Sequence, residues 1–235
     1  MIDIHSHIIY GVDDGSPSIQ ESLRMILEAE RLGFDTVFAT PHLQGGLAYL
    51  KKTTGHFLDL RKRVEGCGIR LLLGYEVMIT PNLPLALFLN KNILLDNTMH
   101  LLLELPCDSI PVYCQDILYQ LRLQGIVPIL AHPERNVCFA KEMDKFLKLS
   151  DNGCLVQMDA GSILGDYGHT AKSFAKKLIR QNKVNFIASD AHRPQDYTTR
   201  YPRAFNTVVS WAGEEYAKKL FLDNPKMIFQ GKNNE

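Results

Sequence analysis

Seven short apolar runs alternate with helix-spaced stretches along this chain, and six of the seven deliver a His, Asp or Glu at their C-terminal end. The first run is Met1–His7 (M-I-D-I-H-S-H), in which His5 and His7 stand two residues apart and so can face one point from an extended backbone. Asp35 to Thr40 runs into Pro41-His42, Ile69 to Leu73 leads to Gly74-Tyr75-Glu76, and His100 to Leu105 carries Glu104 near its end. Ile126 to Ala131 precedes His132-Pro133-Glu134-Arg135, Cys154 to Met158 ends without a polar group, and Asn185 to Ser189 delivers Asp190-Ala191-His192.

Between these runs the apolar spacing is helical. Ser16 is the expected cap and Pro17 the first position of a helix whose face is Ile19, Leu23, Ile26 and Leu27, stopped at Gly33. Phe57, Leu60 and Val64 mark a second helix ending near Gly66 and Gly68, and a short helix is expected within 83–94. Cys114, Ile117, Leu118 and Leu121 mark another up to Gly125. Phe139, Met143, Phe146 and Leu147 form one face, Ala171, Phe174, Ala175 and Leu178 another, and helical segments continue to about Ile228.

Strands alternating with helices imply parallel pairing through right-handed crossovers, hence an α/β barrel or a doubly wound sheet. An open sheet gathers its site at one switch point. A barrel takes functional groups from the ends of many strands, and the six polar run-ends therefore favour an α/β, distorted (β/α)7 TIM-like barrel. No linker divides the chain, so residues 1–235 are expected to form a single domain.

Lys plus Arg and Asp plus Glu number 26 each, which leaves no basic field to attract nucleic acid. No apolar run approaches a membrane span, and a site that begins at residue 5 leaves no room for a removable leader, so a cytoplasmic location is expected. The five cysteines (Cys67, Cys107, Cys114, Cys138 and Cys154) form no C-x-x-C pair and none begins a C-x5-R phosphate loop, so all are expected to be packing residues.

His5, His7, His42, Glu76, Glu104, His132, Asp190 and His192, with Asp14 from the Tyr10–Ser16 loop, are more donors than one metal ion can use. Imidazole mixed with carboxylate suits zinc, manganese or iron, and carboxylates can bridge neighbouring ions. Each residue also has an ordinary reading, His132 as a turn histidine, Glu76 as a salt-bridged acid, Asp190 as a helix cap, but independent placements would not all fall at strand ends. His56, His100 and His169 do not follow strands and are expected to lie outside the site.

The motifs D-I-H-S-H with V-D-D-G, T-P-H, G-Y-E, L-L-E, A-H-P-E-R and A-S-D-A-H, in this order over residues 1 to about 228, resemble the polymerase-and-histidinol-phosphatase (PHP) superfamily. Within it the chain most resembles the bacterial manganese-dependent protein-tyrosine phosphatases of capsule and exopolysaccharide loci. The resemblance implies a trinuclear Mn2+ centre, with Fe or Zn as alternatives. One ion would take His5, His7, Glu76 and Asp190, a second Glu76, Glu104 and His132, and a third His42 and His192 with Asp14 nearby. It further implies that Arg135 binds the phosphoryl group, that an arginine of the last loop assists (Arg200, or else Arg193 or Arg203), and that a metal-bridging hydroxide attacks phosphorus. The implied substrate is a phosphotyrosine protein, the tyrosine-rich tail of a bacterial tyrosine kinase, with no nucleic acid and no membrane insertion, and homo-oligomers are compatible with the sequence. A histidinol-phosphate or other small-molecule phosphatase is the nearest alternative, and a catalytically silent, metal-stabilised module that binds a kinase is the alternative of another class.

Overall fold

In a computed structural model that describes residues 1–229, eight parallel strand segments occupy seven positions around a barrel. Strands β1 (Ile2–Asp3), β2 (Thr36–Ala39) and β3 (Arg70–Leu73) form one sheet; β4 (Glu76–Met78), β5 (His100–Glu104), β6 (Val127–Ala131), β7 (Leu155–Asp159) and β8 (Phe186–Ala188) form the other. These strands are apolar runs because helices cover the barrel outside while side chains fill it inside.

The expected third strand is present as β3, which pairs with β2; after a break the same position continues in a segment that was not expected, β4, which pairs with β5. The break falls at Gly74-Tyr75, where a Cβ on Gly74 would lie 2.6 Å from the Leu95 side chain and 3.3 Å from the Leu95 backbone. Leu95 and Asp96 wedge in here, with the Asp96 amide donating to the Leu73 carbonyl. The two sheets join through residues of the candidate site. Ser6 bridges Ala191 and His42 bridges Glu76 in parallel ladders, with His7 N–H donating to Ala191 O, Asp190 N–H to His5 O, and Leu43 N–H to Glu76 O at 2.8 to 3.0 Å.

Helix α1 (Ile19–Arg31) begins two residues later than expected: Ser18, not Ser16, caps it by accepting from Glu21 N–H, and Pro17 precedes it. Ser16 cannot serve because its backbone is committed to the preceding loop, donating to His7 O and accepting from Gly11. Of the expected face Ile26 is buried and Ile19 and Leu23 pack against the core, but Leu27 is 45% exposed; Met25 and Ala29 are buried in its stead. Helix α2 (Leu47–Arg63) contains the predicted Phe57–Leu60 face, α3 is Leu83–Leu89, and α4 is Cys114–Leu123. The helix expected around Phe139–Leu147 is two, α5 (Val137–Lys141) and α6 (Met143–Ser150). Strand β7 runs one residue past the expected Met158 and ends in Asp159, so the sixth position also delivers a carboxylate. Helices α7 (Ala160–Leu164), α8 (Gly168–Arg180), α9 (Tyr201–Ala212) and α10 (Glu214–Lys218) complete the outer layer.

Inward-facing Ile2, Ile4, Phe38, Leu102, Ile129 and Phe186 form an apolar plug inside the barrel, and alternation along the strands places Glu76, Glu104, Gln157 and Asp159 further up the same interior. Only Cys114 and Cys154 are buried; Cys67 and Cys138 are half-buried, and Cys107 is exposed, because its loop lies on the surface between β5 and α4. The expected domain limit at residue 235 falls outside the described residues.

Candidate metal centre

At the C-terminal mouth of the barrel, His5 and His7 are buried and differ in what faces each ring nitrogen. His5 Nδ1 is 3.0 Å from Gln157 Oε1, and His7 Nδ1 is 2.7 Å from Asp13 Oδ2. An amide oxygen and a carboxylate accept only, so both Nδ1 atoms carry the proton and both Nε2 atoms present lone pairs. Those Nε2 atoms lie 3.2 Å apart. Glu76 Oε2 is 3.3 Å from each, and Asp190 Oδ1 is 3.4 Å from His5 Nε2 and 3.3 Å from His7 Nε2. Glu76 Oε2 is buried without a hydrogen bond. Four electron-rich atoms converging out of water repel one another unless a cation lies among them, and the donor set fits a divalent ion.

Glu76 is placed to serve more than one ion. Its Oε1 is 2.7 Å from His132 Nε2, while its Oε2 is 3.0 Å from His42 Nδ1, which is 3.8 Å from Glu104 Oε2. On the other side, His192 donates Nδ1–H to the Asp190 carbonyl at 2.8 Å, which frees its Nε2. That nitrogen and His42 Nε2 each lie 3.6 Å from Asp14 Oδ1, so the exposed Asp14 spans the two histidines. Four overlapping triads can each hold an ion: His5-His7-Asp190, His5-Glu76-His132, His7-His42-Glu76 and His7-Asp14-His192.

The electrostatics agree with a site shaped for positive charge. Burial opposes protonation of His5, yet Glu76 and Asp190 raise its pKa to about 9. Burial also opposes ionisation of Glu76 and Asp190, but the surrounding imidazoles, His5 foremost, hold both well below the ordinary carboxylate range. Glu104 moves the other way, raised by burial and by Glu76. Two residues of the candidate site have left-handed backbones, His132 at φ 30° and Asp190 at φ 47°. Non-glycine residues persist there only where surrounding bonds hold them; Arg135 N–H binds His132 O and Asp190 N–H binds His5 O.

A cavity of about 680 Å³ opens above these residues. Arg135 reaches it from the short helical turn after β6, donating from Nη1 to Asp190 Oδ2 at 3.1 Å and lying 4.2 Å over the Tyr167 ring. Arg200 also lines it, from a π-type turn over Asp196–Arg200, with its guanidinium paired to Asp166 and Asp196 at 2.6 Å. Arg193 lines the same cavity, whereas Arg203 lines a smaller one beyond Arg200. Every sequence-predicted ligand is therefore at the mouth, and His56 lies on helix α2, stacked on Tyr10 and bonded to its carbonyl, away from the residues that line the cavity.

Sequence reasoning passed over Asp13, Gln157, Asp159 and Tyr167. Asp13 had a signal, since neighbouring acids in D-D-G point in different directions and only one can face His42 and His192 across the mouth. Gln157 had a weaker one: a lone amide inside the apolar run Cys154–Met158 needs a buried partner.

The same fold recurs in known proteins. The chain is similar to the tyrosine-protein phosphatase YwqE of Bacillus subtilis, 34% identical over 98% of this chain and 92% of that protein. It is similar also to the tyrosine-protein phosphatase CpsB of Streptococcus pneumoniae, 28% identical over 97% and 98%. A chain from the crystal structures of YwqE and CpsB, described as unique metal-dependent tyrosine phosphatases, superposes with a TM-score of 0.88 at 30% identity, covering 99% of this chain and 96% of that one. A lactonase from Listeria monocytogenes shares the fold alone, at a TM-score of 0.65 and 14% identity over 99% of this chain and 95% of that one. A family model described as capsular polysaccharide synthesis, CpsB/CapC, matches residues 1–230, and the chain belongs to that family.

Proposed function

We propose that this protein is a metal-dependent protein-tyrosine phosphatase that hydrolyses phosphotyrosine on a bacterial tyrosine kinase controlling capsule or exopolysaccharide synthesis, with three Mn2+ ions and in the cytoplasm. The observation that carries the chemistry is the convergence of His5 Nε2, His7 Nε2, Glu76 Oε2 and Asp190 Oδ1 within 3.4 Å of one another across the histidine–carboxylate pairs. The names of YwqE and CpsB support the substrate class, the family description supports the capsule pathway, and no helix among the described residues is long and apolar enough to cross a membrane.

His5, His7, Glu76 and Asp190 would hold one ion, Glu76, Glu104 and His132 a second, and Asp14, His42 and His192 a third. Bound divalent ions supply a water of lowered pKa and neutralise charge on phosphoryl oxygens. The chain's own groups do the rest. Asp13 and Gln157 fix the tautomers of His7 and His5, and the Asp190 carbonyl fixes that of His192. Arg135 offers a planar fork to the phosphoryl oxygens, and its tie to Asp190 keeps it pointed into the cavity. Arg200 lines the same cavity, close to Tyr167, as a second cation. A tyrosine phenolate leaves with a pKa of about 10, so no strong proton donor is required. The mouth is open, which suits a side chain presented by a protein.

Two variants assayed with Mn2+ on a phosphotyrosine peptide and on histidinol phosphate test this. Arg135→Ala should keep its metal and lose about 10²- to 10³-fold in kcat/KM, whereas His132→Ala should lose metal as well as activity. Preference for histidinol phosphate, or an Arg135→Ala enzyme with near-normal turnover, would sink the proposal.

A further inference from the structure

We infer that Tyr167 is a positioning residue for Arg135, its ring fixing the plane in which the guanidinium meets the phosphoryl group. The inference rests on the phosphoryl-binding role proposed for Arg135. Among the described residues Arg135 makes one side-chain hydrogen bond, from Nη1 to Asp190 Oδ2. A single bond anchors one atom of a long side chain and leaves the plane of the fork free to turn. Asp190 cannot add a second grip, because its other oxygen already faces the Nε2 atoms of His5 and His7. The Tyr167 ring, with the Arg135 Cζ 4.2 Å from its centroid, supplies the missing constraint.

The local sequence is shaped to bring that ring there. Helix α7 stops at Gly165, whose φ of 97° is the left-handed conformation of a helix end, and the chain doubles back so that the Asp166 amide donates to Gly161 O. Tyr167 then falls back over α7 before Gly168, at φ 92°, starts α8. Its ring needs the bare surface of Gly161, where a Cβ would lie 3.0 Å from Tyr167 Cε2, 3.3 Å from Asp166 Oδ2 and 3.4 Å from Arg200 Cδ. Gly161 is held in turn by Asp159, the carboxylate at the end of β7, which accepts its N–H at 2.6 Å. Strand β7, which gives no ligand to the expected metals, thus builds the support for the arginine.

The test is a mutant cycle on the Mn2+-loaded enzyme: Tyr167→Phe, Tyr167→Leu, Arg135→Ala and the Arg135→Ala/Tyr167→Leu double variant. The readouts are kcat/KM on a phosphotyrosine peptide, inhibition by inorganic phosphate and metal content. Tyr167→Phe keeps the stacking and should stay within about twofold, while Tyr167→Leu should lose about 5- to 30-fold in both kcat/KM and phosphate affinity at full metal content. In the Arg135→Ala background the same change should cost less than about twofold, because a residue that acts through another has nothing left to act on. Should Tyr167→Leu fold poorly, Tyr167→Gln takes its place at this half-exposed position. The inference is overturned if the loss is the same in both backgrounds, if Tyr167→Phe is as damaging as Tyr167→Leu, or if Tyr167→Leu is indistinguishable from wild type. In those cases a large effect of Arg135→Ala leaves the role of Arg135 standing, whereas near-normal turnover by Arg135→Ala removes that role and the inference with it.

Discussion

Asp13 touches no candidate ion, yet its replacement by Asn should weaken metal binding by about one to two orders of magnitude. The side chain accepts three hydrogen bonds: Oδ2 takes His7 Nδ1–H at 2.7 Å and His42 N–H at 3.1 Å, and Oδ1 takes Gly15 N–H at 3.1 Å. Burial opposes its charge, but the bonds from His7 and from the two amides hold its pKa below the ordinary value, so it is an anion in the folded protein. Asn has one accepting oxygen, and whichever way the amide turns its NH2 must face at least one donor. A charge-assisted hydrogen bond contributes about 1.5–3 kcal/mol, which corresponds to about 10- to 150-fold in an equilibrium constant. The measured loss in comparable supporting residues is about 10- to 100-fold in metal affinity. Calorimetric titration of metal-stripped protein with Mn2+ reads this directly, and kcat at saturating Mn2+ should recover to within a few-fold. If Asp13→Asn and Asp13→Ala both bind Mn2+ with affinity within twofold of wild type, the tautomer-fixing role is wrong.

EDTA should abolish phosphatase activity and Mn2+ restore it, while iodoacetamide should leave it intact; inactivation traced to a cysteine would reopen the mechanism. Burial raises the thiols of Cys114 to about 11 and Cys154 to about 12, and the exposed Cys107 is raised too, so none of these three is a ready thiolate at neutral pH. In metal-stripped protein the raised pKa of His5 means that the folded state holds its proton more tightly than the unfolded chain. The stabilisation is therefore complete below about pH 6.5 and fades as the pH rises to about 9. Melting temperature against pH should show that decline without metal, and a flat profile in stripped protein would contradict the charge arrangement. Gly15→Ala should cost about 1–3 kcal/mol, read as a lower melting temperature together with lower metal content, because its Cβ would lie 2.2 Å from His7 O and 2.4 Å from His7 Cβ.

The strand-end histidines and acids were readable because each is a polar residue closing an apolar run, and a barrel gives such residues a common destination. What escaped the sequence depends on contacts between distant segments. The break in the third strand is caused by Leu95, some twenty residues further along the chain, meeting Gly74. Ser16 has the residue type and position of a cap, but its backbone is already taken by His7 and Gly11, so the helix waits for Ser18. Asp159 lies one residue beyond the hydrophobic run that announced β7, and its use is to hold Gly161. Arg135 could be placed at the mouth from its distance to His132; its stacking partner could not, because Tyr167 arrives by a turn whose outcome is set by Gly161, Gly165 and Gly168 together.

The barrel is stitched shut by the backbones of residues of the candidate metal centre: His5, His7, Glu76 and Asp190 all exchange main-chain hydrogen bonds across the two seams. Such a protein has little freedom to diversify at its centre. Moving a ligand by one position would shift a seam register and face the neighbouring side chain inward, so inherited change is channelled to the rim, to the stretch between β7 and α8 and the turn holding Arg193 and Arg200. New substrates in this lineage should arise there, on a hub that stays the same while its collar is rewritten.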